Sequence, residues 1–264
     1  MKMRNGLVEY TESEGVAVVE LTNPPANAYS YEMMQDLDEA VLKARFDEGV
    51  HVIVLSGAGD KFFCAGADIS MLQSVTTHFK YNFCLHANET MLRIENTNKL
   101  VIAAMRGHCV GGGLEIAMAA DIRVAARGTG KTGLPEIALG VLPGTGGTQR
   151  LSRLIGRSRA IEIMTEGRLL DYDEAATYGL VNHVWEAEEF DQKLVEYAKS
   201  FCPPAKASLS AGFIKRAVHG GVDQSIYDGL ALERELQQRL FESADAAEGL
   251  AAYVEKRKPK FSGK

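Results

Sequence analysis

Three consecutive glycines, Gly111, Gly112 and Gly113, separate an apolar strand-like run from an apolar helix-like run in residues 106–121 (RGHCVGGGLEIAMAAD), and no other feature limits the fold as tightly. Glycine loses more backbone freedom on ordering than any other residue. A run of them is tolerable where a ligand or another part of the chain must come close to the main chain. The spacing predicts a helix over 114–120, so the glycine N–H groups become first-turn donors with no intrahelical acceptor. The helix dipole adds partial positive charge at the same place. Such a site suits a developing negative charge. Glu115 falls about one turn into that helix. Read alone, the segment fits equally a tight strand-to-helix turn with Glu115 facing water.

Two other segments share this character. In residues 61–70 (KFFCAGADIS), Gly66 permits a tight turn, Ala67 is small enough to leave its N–H exposed, and Asp68 is placed to cap the next helix. Read alone, it is simply the start of a helix. In residues 133–150 (GLPEIALGVLPGTGGTQR), Glu136 follows a proline, and Gly144, Gly146 and Gly147 form a crowded turn ahead of a helix. Read alone, Glu136 is a surface carboxylate. Glu115 and Glu136 are too far apart in sequence to share a helix face, so only a tertiary fold can pair them.

The rest of the chain supplies the frame. Residues 8–21 read as a hairpin turning at 13–15, and the Asn23-Pro24-Pro25 stretch ends it. Ser30 caps a periodic segment, 31–48, with Met34, Leu37, Val41 and Leu42 on one face. Residues 50–56 are a buried strand, 68–96 a helical stretch, and 100–105 and 121–126 two further strands. Strands alternating with helices predict an α/β protein. After about residue 171 the character changes: a helix begins at 171–176, a short strand occupies 181–184, and the remainder is helical. The tail 222–258 carries Ile226, Leu230, Leu232, Leu236 and Leu240, which pack either on the core or on another subunit. A core over 1–195 and a helical region over 196–264 are expected.

Composition excludes several functions. Hydrophobic residues at 46% and charged residues at 24% describe a globular chain. A net charge of −6 with scattered Lys and Arg argues against nucleic-acid binding. No apolar run reaches the roughly 18 residues a membrane helix needs, and no signal peptide is visible. The four cysteines form no C-x-x-C pair, so thiols in a reducing compartment, the cytoplasm, are expected. Gly130-Lys131-Thr132 imitates the end of a P-loop, but Ala125 stands where its first glycine would be. The histidines lack H-x-x-x-H spacing, His108 is expected to pack, and no G-x-S-x-G elbow occurs. Metal and serine-hydrolase chemistry therefore lack support in the sequence.

Together, FFCAGADI at 62–69, VIAAMRGHCVGGGLEIAMAADIRVA at 101–125 and LPEIALGVLPGTGGTQRL at 134–151 resemble the enoyl-CoA hydratase/isomerase (crotonase) superfamily. NPPANA at 23–28 resembles the loop that follows the family's second strand, and the resemblance runs from about residue 6 to 261. It implies a crotonase-like spiral of β-β-α units with a helical C-terminal trimerisation region, giving a homotrimer or a dimer of trimers. It implies backbone N–H donors at Ala67 and Gly112 that stabilise a thioester enolate, and catalytic carboxylates at Glu115 and Glu136. Ala65, Ala67, Asp68, Ile69, Gly111 and Gly144 are implied to contact an acyl-CoA. No metal and no cofactor beyond the CoA of the substrate are implied, and neither a nucleic acid nor a membrane is a partner. Having both glutamates favours a lyase, an enoyl-CoA hydratase of fatty-acid β-oxidation type, over a Δ3-Δ2 isomerase or a non-catalytic CoA-binding protein. Glu136 is expected to be the protonated partner and Glu115 to hold the water. Residues 22–31 lack the Lys or Arg that often meets CoA phosphates in the family, which leaves the Lys256-Arg257-Lys258 cluster as a substitute.

Overall fold

A computed structural model describes residues 1–264. The chain runs β1 (Val8–Ser13), β2 (Val16–Leu21), α1 (Tyr31–Phe46), β3 (Val52–Gly57), β4 (Phe62–Cys64), α2 (Ile69–Ser74), α3 (Thr77–Glu95), β5 (Leu100–Met105), β6 (His108–Val110) and α4 (Gly112–Met118). It continues with β7 (Ile122–Ala126), β8 (Lys131–Gly133), a 3-10 turn (Glu136–Leu139), α5 (Gly147–Ile155), α6 (Arg157–Glu166), β9 (Leu170–Asp171), α7 (Tyr172–Thr177) and β10 (His183–Trp185). Helices α8 (Phe190–Lys199), α9 (Ser208–Val222), α10 (Ile226–Phe241) and α11 (Ala244–Val254) complete it. A six-stranded sheet has the order β1-β2-β3-β5-β7-β10, and a four-stranded sheet the order β4-β6-β8-β9. β3, β5 and β7 are parallel neighbours in the first sheet, as are β4, β6 and β8 in the second. Each pass therefore lays one strand in each sheet, adds a helix, and steps one strand over. This is the expected spiral of β-β-α units.

The large sheet is covered on both faces, as parallel sheets usually are. Side chains alternate along a strand. Ile53, Leu55, Val101, Ala103, Met105 and Ala125 face the main core with Met34, Leu37, Met91 and Ile94 of α1 and α3. Val52, Val54, Ile102, Ala104, Val124 and Ala126 face a smaller cluster closed by Phe190, Ala198 and Cys202. The crossing strands thus read as unbroken apolar runs.

Several boundaries differ from the sequence reading for local reasons. The hairpin turns at Glu14 (φ 50) and Gly15 (φ 83), as expected. Ser30 caps α1 by accepting from the Met33 N–H. The stretch 68–96 is two helices, because the Thr76 side chain accepts from the Phe79 N–H and starts α3 afresh after Val75. The short strand falls at His183–Trp185, where it pairs with β7. In the tail, the Ser243 hydroxyl caps α11 and divides it from α10. Of its five apolar positions only Leu236 is fully buried, while Ile226 and Leu230 stay exposed. Gly130-Lys131-Thr132 leads into β8, a strand rather than a phosphate loop. His108 packs against the Phe62 ring at 5.3 Å and accepts from the Lys131 N–H. All four cysteines are free thiols. No helix is long and apolar enough to cross a membrane.

The spiral brings α4 directly against β4. A Cβ on Gly113 would lie 2.2 Å from the Cys64 carbonyl oxygen. Gly113→Ala is expected to destabilise the fold by about 1–3 kcal/mol, the usual cost of overpacking, as a lower denaturation midpoint at unchanged m-value in urea titration.

Candidate active site

Two loops meet between the sheets. The first, 65–68, leaves β4 and is tied to residues 26–29. The Ala65 N–H donates to the Ala26 carbonyl (3.0 Å), the Tyr29 N–H to Gly66 (2.9 Å), and the Asp68 N–H to Tyr29 (3.0 Å). Asn27 locks this pairing. Its buried amide donates to the carbonyls of Ala58 (3.0 Å) and Phe62 (2.9 Å), which flank the strand that feeds the loop. The second loop is the glycine run that starts α4, whose first acceptor is the Gly111 carbonyl. Gly66 (φ 92) sits where the loops touch, and a Cβ there would lie 3.0 Å from the Gly112 nitrogen.

This contact leaves two backbone donors side by side without partners. The Ala67 N–H has no acceptor in the loop pairing, and Gly112 opens α4, where a first-turn N–H has none. The glycine run is explained position by position. Gly111 holds φ 57 at the helix cap, and a Cβ on Gly112 would strike the Tyr29 hydroxyl at 2.3 Å.

Glu115, one turn along α4, is 2% exposed. Its Oε1 accepts from the backbone N–H of Thr145 (2.9 Å) and Gly147 (2.6 Å), at the N-terminus of α5. Its Oε2 accepts from the Thr145 hydroxyl, which in turn lies 3.2 Å from the Tyr29 hydroxyl. Because the Thr145 proton is committed to the carboxylate, Tyr29 donates to Thr145. Burial pushes the Glu115 carboxyl above the ordinary carboxylate range, against the pull of these three donors and of nearby Arg150. Arg150 is itself held by Glu95 through two contacts of 2.6 and 2.9 Å.

Glu136 heads the 3-10 turn after Pro135. Its buried Oε2 has no hydrogen-bond partner. Burial pushes its carboxyl up to about 7, against its own backbone N–H and with a smaller push from the Glu115 charge. The two carboxylates therefore differ in degree: three donors favour the ionised form of Glu115, and one backbone donor favours that of Glu136.

Both face a cavity of about 300 Å³. The residues expected at the site, Ala65, Ala67, Ile69, Gly111, Gly112, Gly144, Glu115 and Glu136, all line it. Asp68 is not among the lining residues; its Oδ1 caps α2, accepting from the N–H groups of Ser70 (2.8 Å) and Met71 (3.2 Å). Arg257 of the basic cluster is bound to Glu248 and Glu255. A larger hollow of about 1010 Å³, between α9 and the C-terminal segment, contains neither the carboxylates nor the paired donors. Sequence reading missed Tyr29, Lys80, Cys84 and Thr145, which also line the cavity. The Thr-Gly-Gly run at 145–147 was visible as a turn, but nothing in it pointed to Glu115.

Removing the Thr145 hydroxyl takes one donor from a buried carboxylate. Thr145→Ala is expected to raise the Glu115 carboxyl further, and Thr145→Ser to restore it, as followed by carboxyl carbon NMR against pH.

Comparison with known proteins places the chain in a family. The family model for enoyl-CoA hydratase/isomerase matches residues 11–264. A short-chain-enoyl-CoA hydratase of Clostridium acetobutylicum is 37% identical over 260 residues, spanning 98% of this chain and 97% of that protein. A crotonyl-CoA hydratase of Syntrophomonas wolfei is 35% identical over 254 residues, 96% of each. The crystal structure of an enoyl-CoA hydratase from Geobacillus kaustophilus matches with a TM-score of 0.95 at 40% identity, covering 98% of this chain and 97% of that one.

Proposed function

The chain belongs to the enoyl-CoA hydratase/isomerase family, and from that premise we propose that it adds water across the 2,3 double bond of a 2-enoyl-CoA to give the 3-hydroxyacyl-CoA. The observation that carries this reading is the pair of unlike carboxylates, Glu115 and Glu136, facing one cavity beside two unpaired N–H groups. The thioester oxygen accepts from the Ala67 and Gly112 N–H groups. Ionised Glu115 takes a proton from water as the water oxygen bonds to C3. The π electrons move onto the thioester oxygen as an enolate, and Glu136 delivers its proton to C2. Proton transfer from Glu115 back to Glu136 resets the pair. Nothing is oxidised or reduced, so CoA enters only as part of the substrate.

The donors act where charge develops. A preorganised pair in a dry site contributes about 3–4 kcal/mol per donor in comparable oxyanion sites. Three of the four lone-pair sites of Glu115 are occupied by Thr145 and Gly147, which leaves one for a single water. A double-bond shift alone would need only one carboxylate moving a proton between carbons. The names of the relatives from Clostridium acetobutylicum and Syntrophomonas wolfei support a short acyl group. Exposed Ile214, Val218, Ile226 and Tyr253 on α9–α11 support a trimer built through the C-terminal helices.

Loss of the conjugated-thioester absorbance of crotonyl-CoA is expected with the unaltered protein. Glu115→Gln and Glu136→Gln are each expected to slow it by at least about 100-fold, the contribution of positioned acid–base groups. An unchanged rate in either variant contradicts an acid–base role for that glutamate. Glu136 acts protonated, so kcat/KM is expected to fall as pH rises through about 7, an apparent value belonging to the coupled pair.

A further inference from the structure

Helix α3 turns Lys80, Phe83 and Cys84 toward the cavity. Around them the lining is apolar, with Ile69, Leu72, Leu139, Val141 and Leu142. Lys80 is the one cation in that lining. It is partly buried and has neither a salt bridge nor a side-chain hydrogen bond. The buried lysines are engaged, Lys215 with Asp121 at 2.9 Å and Lys99 with the Ala44 carbonyl at 2.6 Å, and partly buried Lys199 pairs with Glu14.

Nothing in the fold stabilises an ammonium at this position. Lys80 lies at the start of α3, just after the Thr76 cap, and the first turn contains no acidic residue. The helix dipole disfavours a cation at that end, and apolar neighbours remove part of its hydration. Its charge reaches the Cys84 thiol one turn along the helix, and Cys84 Sγ is 3.5 Å from where a Cβ on Gly144 would stand. It is absent from the charges acting on Glu115, which feels Arg150, and on Glu136, which feels Glu115. Lys80 therefore does not neutralise the catalytic pair. It faces the same cavity without a counter-charge.

We propose that Lys80 receives an anionic oxygen of the bound thioester, a carboxylate at the far end of the acyl group, so that the preferred substrates are 2-enoyl thioesters of dicarboxylic acids. This deepens the hydratase reading, since it takes the thioester carbonyl to lie at Ala67 and Gly112. A CoA phosphate offers similar oxygens. The pantetheine arm carries the phosphates away from the thioester, whereas Lys80 stands among Leu72, Phe83 and Leu142, apolar residues that suit an alkyl segment. A carboxylate there gains a charge-assisted contact in a partly dry site.

Binding of saturated, unreactive thioesters to the full-length protein tests this by titration calorimetry. Glutaryl-CoA and pentanoyl-CoA have equal chain length and differ in the terminal carboxylate. The unaltered protein is expected to bind glutaryl-CoA about tenfold or more tightly than pentanoyl-CoA, as one charge-assisted hydrogen bond provides. Lys80→Met is expected to bring that ratio to one or below, and Lys80→Arg to keep most of it. Equal affinities in the unaltered protein overturn the proposal. So does a Lys80→Met variant that weakens both thioesters and free CoA alike while keeping the ratio, which assigns the lysine to a phosphate. The preference is read without turnover. A protein that shows it yet hydrates no enoyl thioester contradicts the hydratase reading and leaves the role of Lys80 standing.

Discussion

The close approach of two backbone segments, at Gly66 and Gly112, is the contact on which the rest of this structure depends. Both segments must lack side chains at the point of contact, because a Cβ on Gly66 would crowd the Gly112 nitrogen and one on Gly112 would strike Tyr29. The contact exists because each β-β-α pass sets β4 beside β6 in the small sheet while β3 and β5 pair in the large one. The chain leaving β4 and the chain leaving β6 then arrive at the same place. The conformational cost of the glycines is offset elsewhere, in the two-sided apolar burial of the large sheet. Asn27 provides the local restraint, tying residues 26–29 to the carbonyls around β4.

The same geometry separates the two carboxylates. Glu115 belongs to the helix whose N-terminus provides one donor, and it reaches the N-terminus of a second helix, α5. It is thus buried yet supplied with hydrogen bonds that favour its charge. Glu136 lies on a short turn with one buried oxygen unpaired. Burial raises both, and the more numerous donors to Glu115 oppose that rise on its side of the pair. Unequal surroundings for one residue type are what the proposed acid and base require.

Much of this was legible in the sequence because it rests on local chemistry. The glycine run, the Asp68 cap, the hairpin turn and the apolar strands each follow from residue type and short-range spacing. Glu115 and Glu136 were visible as candidates, but their pairing required the spiral. Asp68 was expected both to cap the next helix and to meet the ligand, and the structure displays the cap. What stayed hidden were contacts between distant residues of ordinary type. Tyr29 and Thr145 are 116 positions apart, and only folding joins them at Glu115. Lys80 reads as a surface lysine on a periodic helix until the cavity beside it is seen. The break at Thr76 escaped because the periodic pattern continues across a single capping residue.

The central claim is that the Ala67 and Gly112 N–H groups receive the thioester carbonyl. Its most direct test is the carbonyl stretching frequency of crotonyl-CoA labelled with carbon-13 at C1, bound to the Glu136→Gln variant so that turnover is slowed. The account predicts a band shifted to lower frequency than in water, as two donors draw electron density onto the oxygen. A bound carbonyl at its aqueous frequency would contradict it.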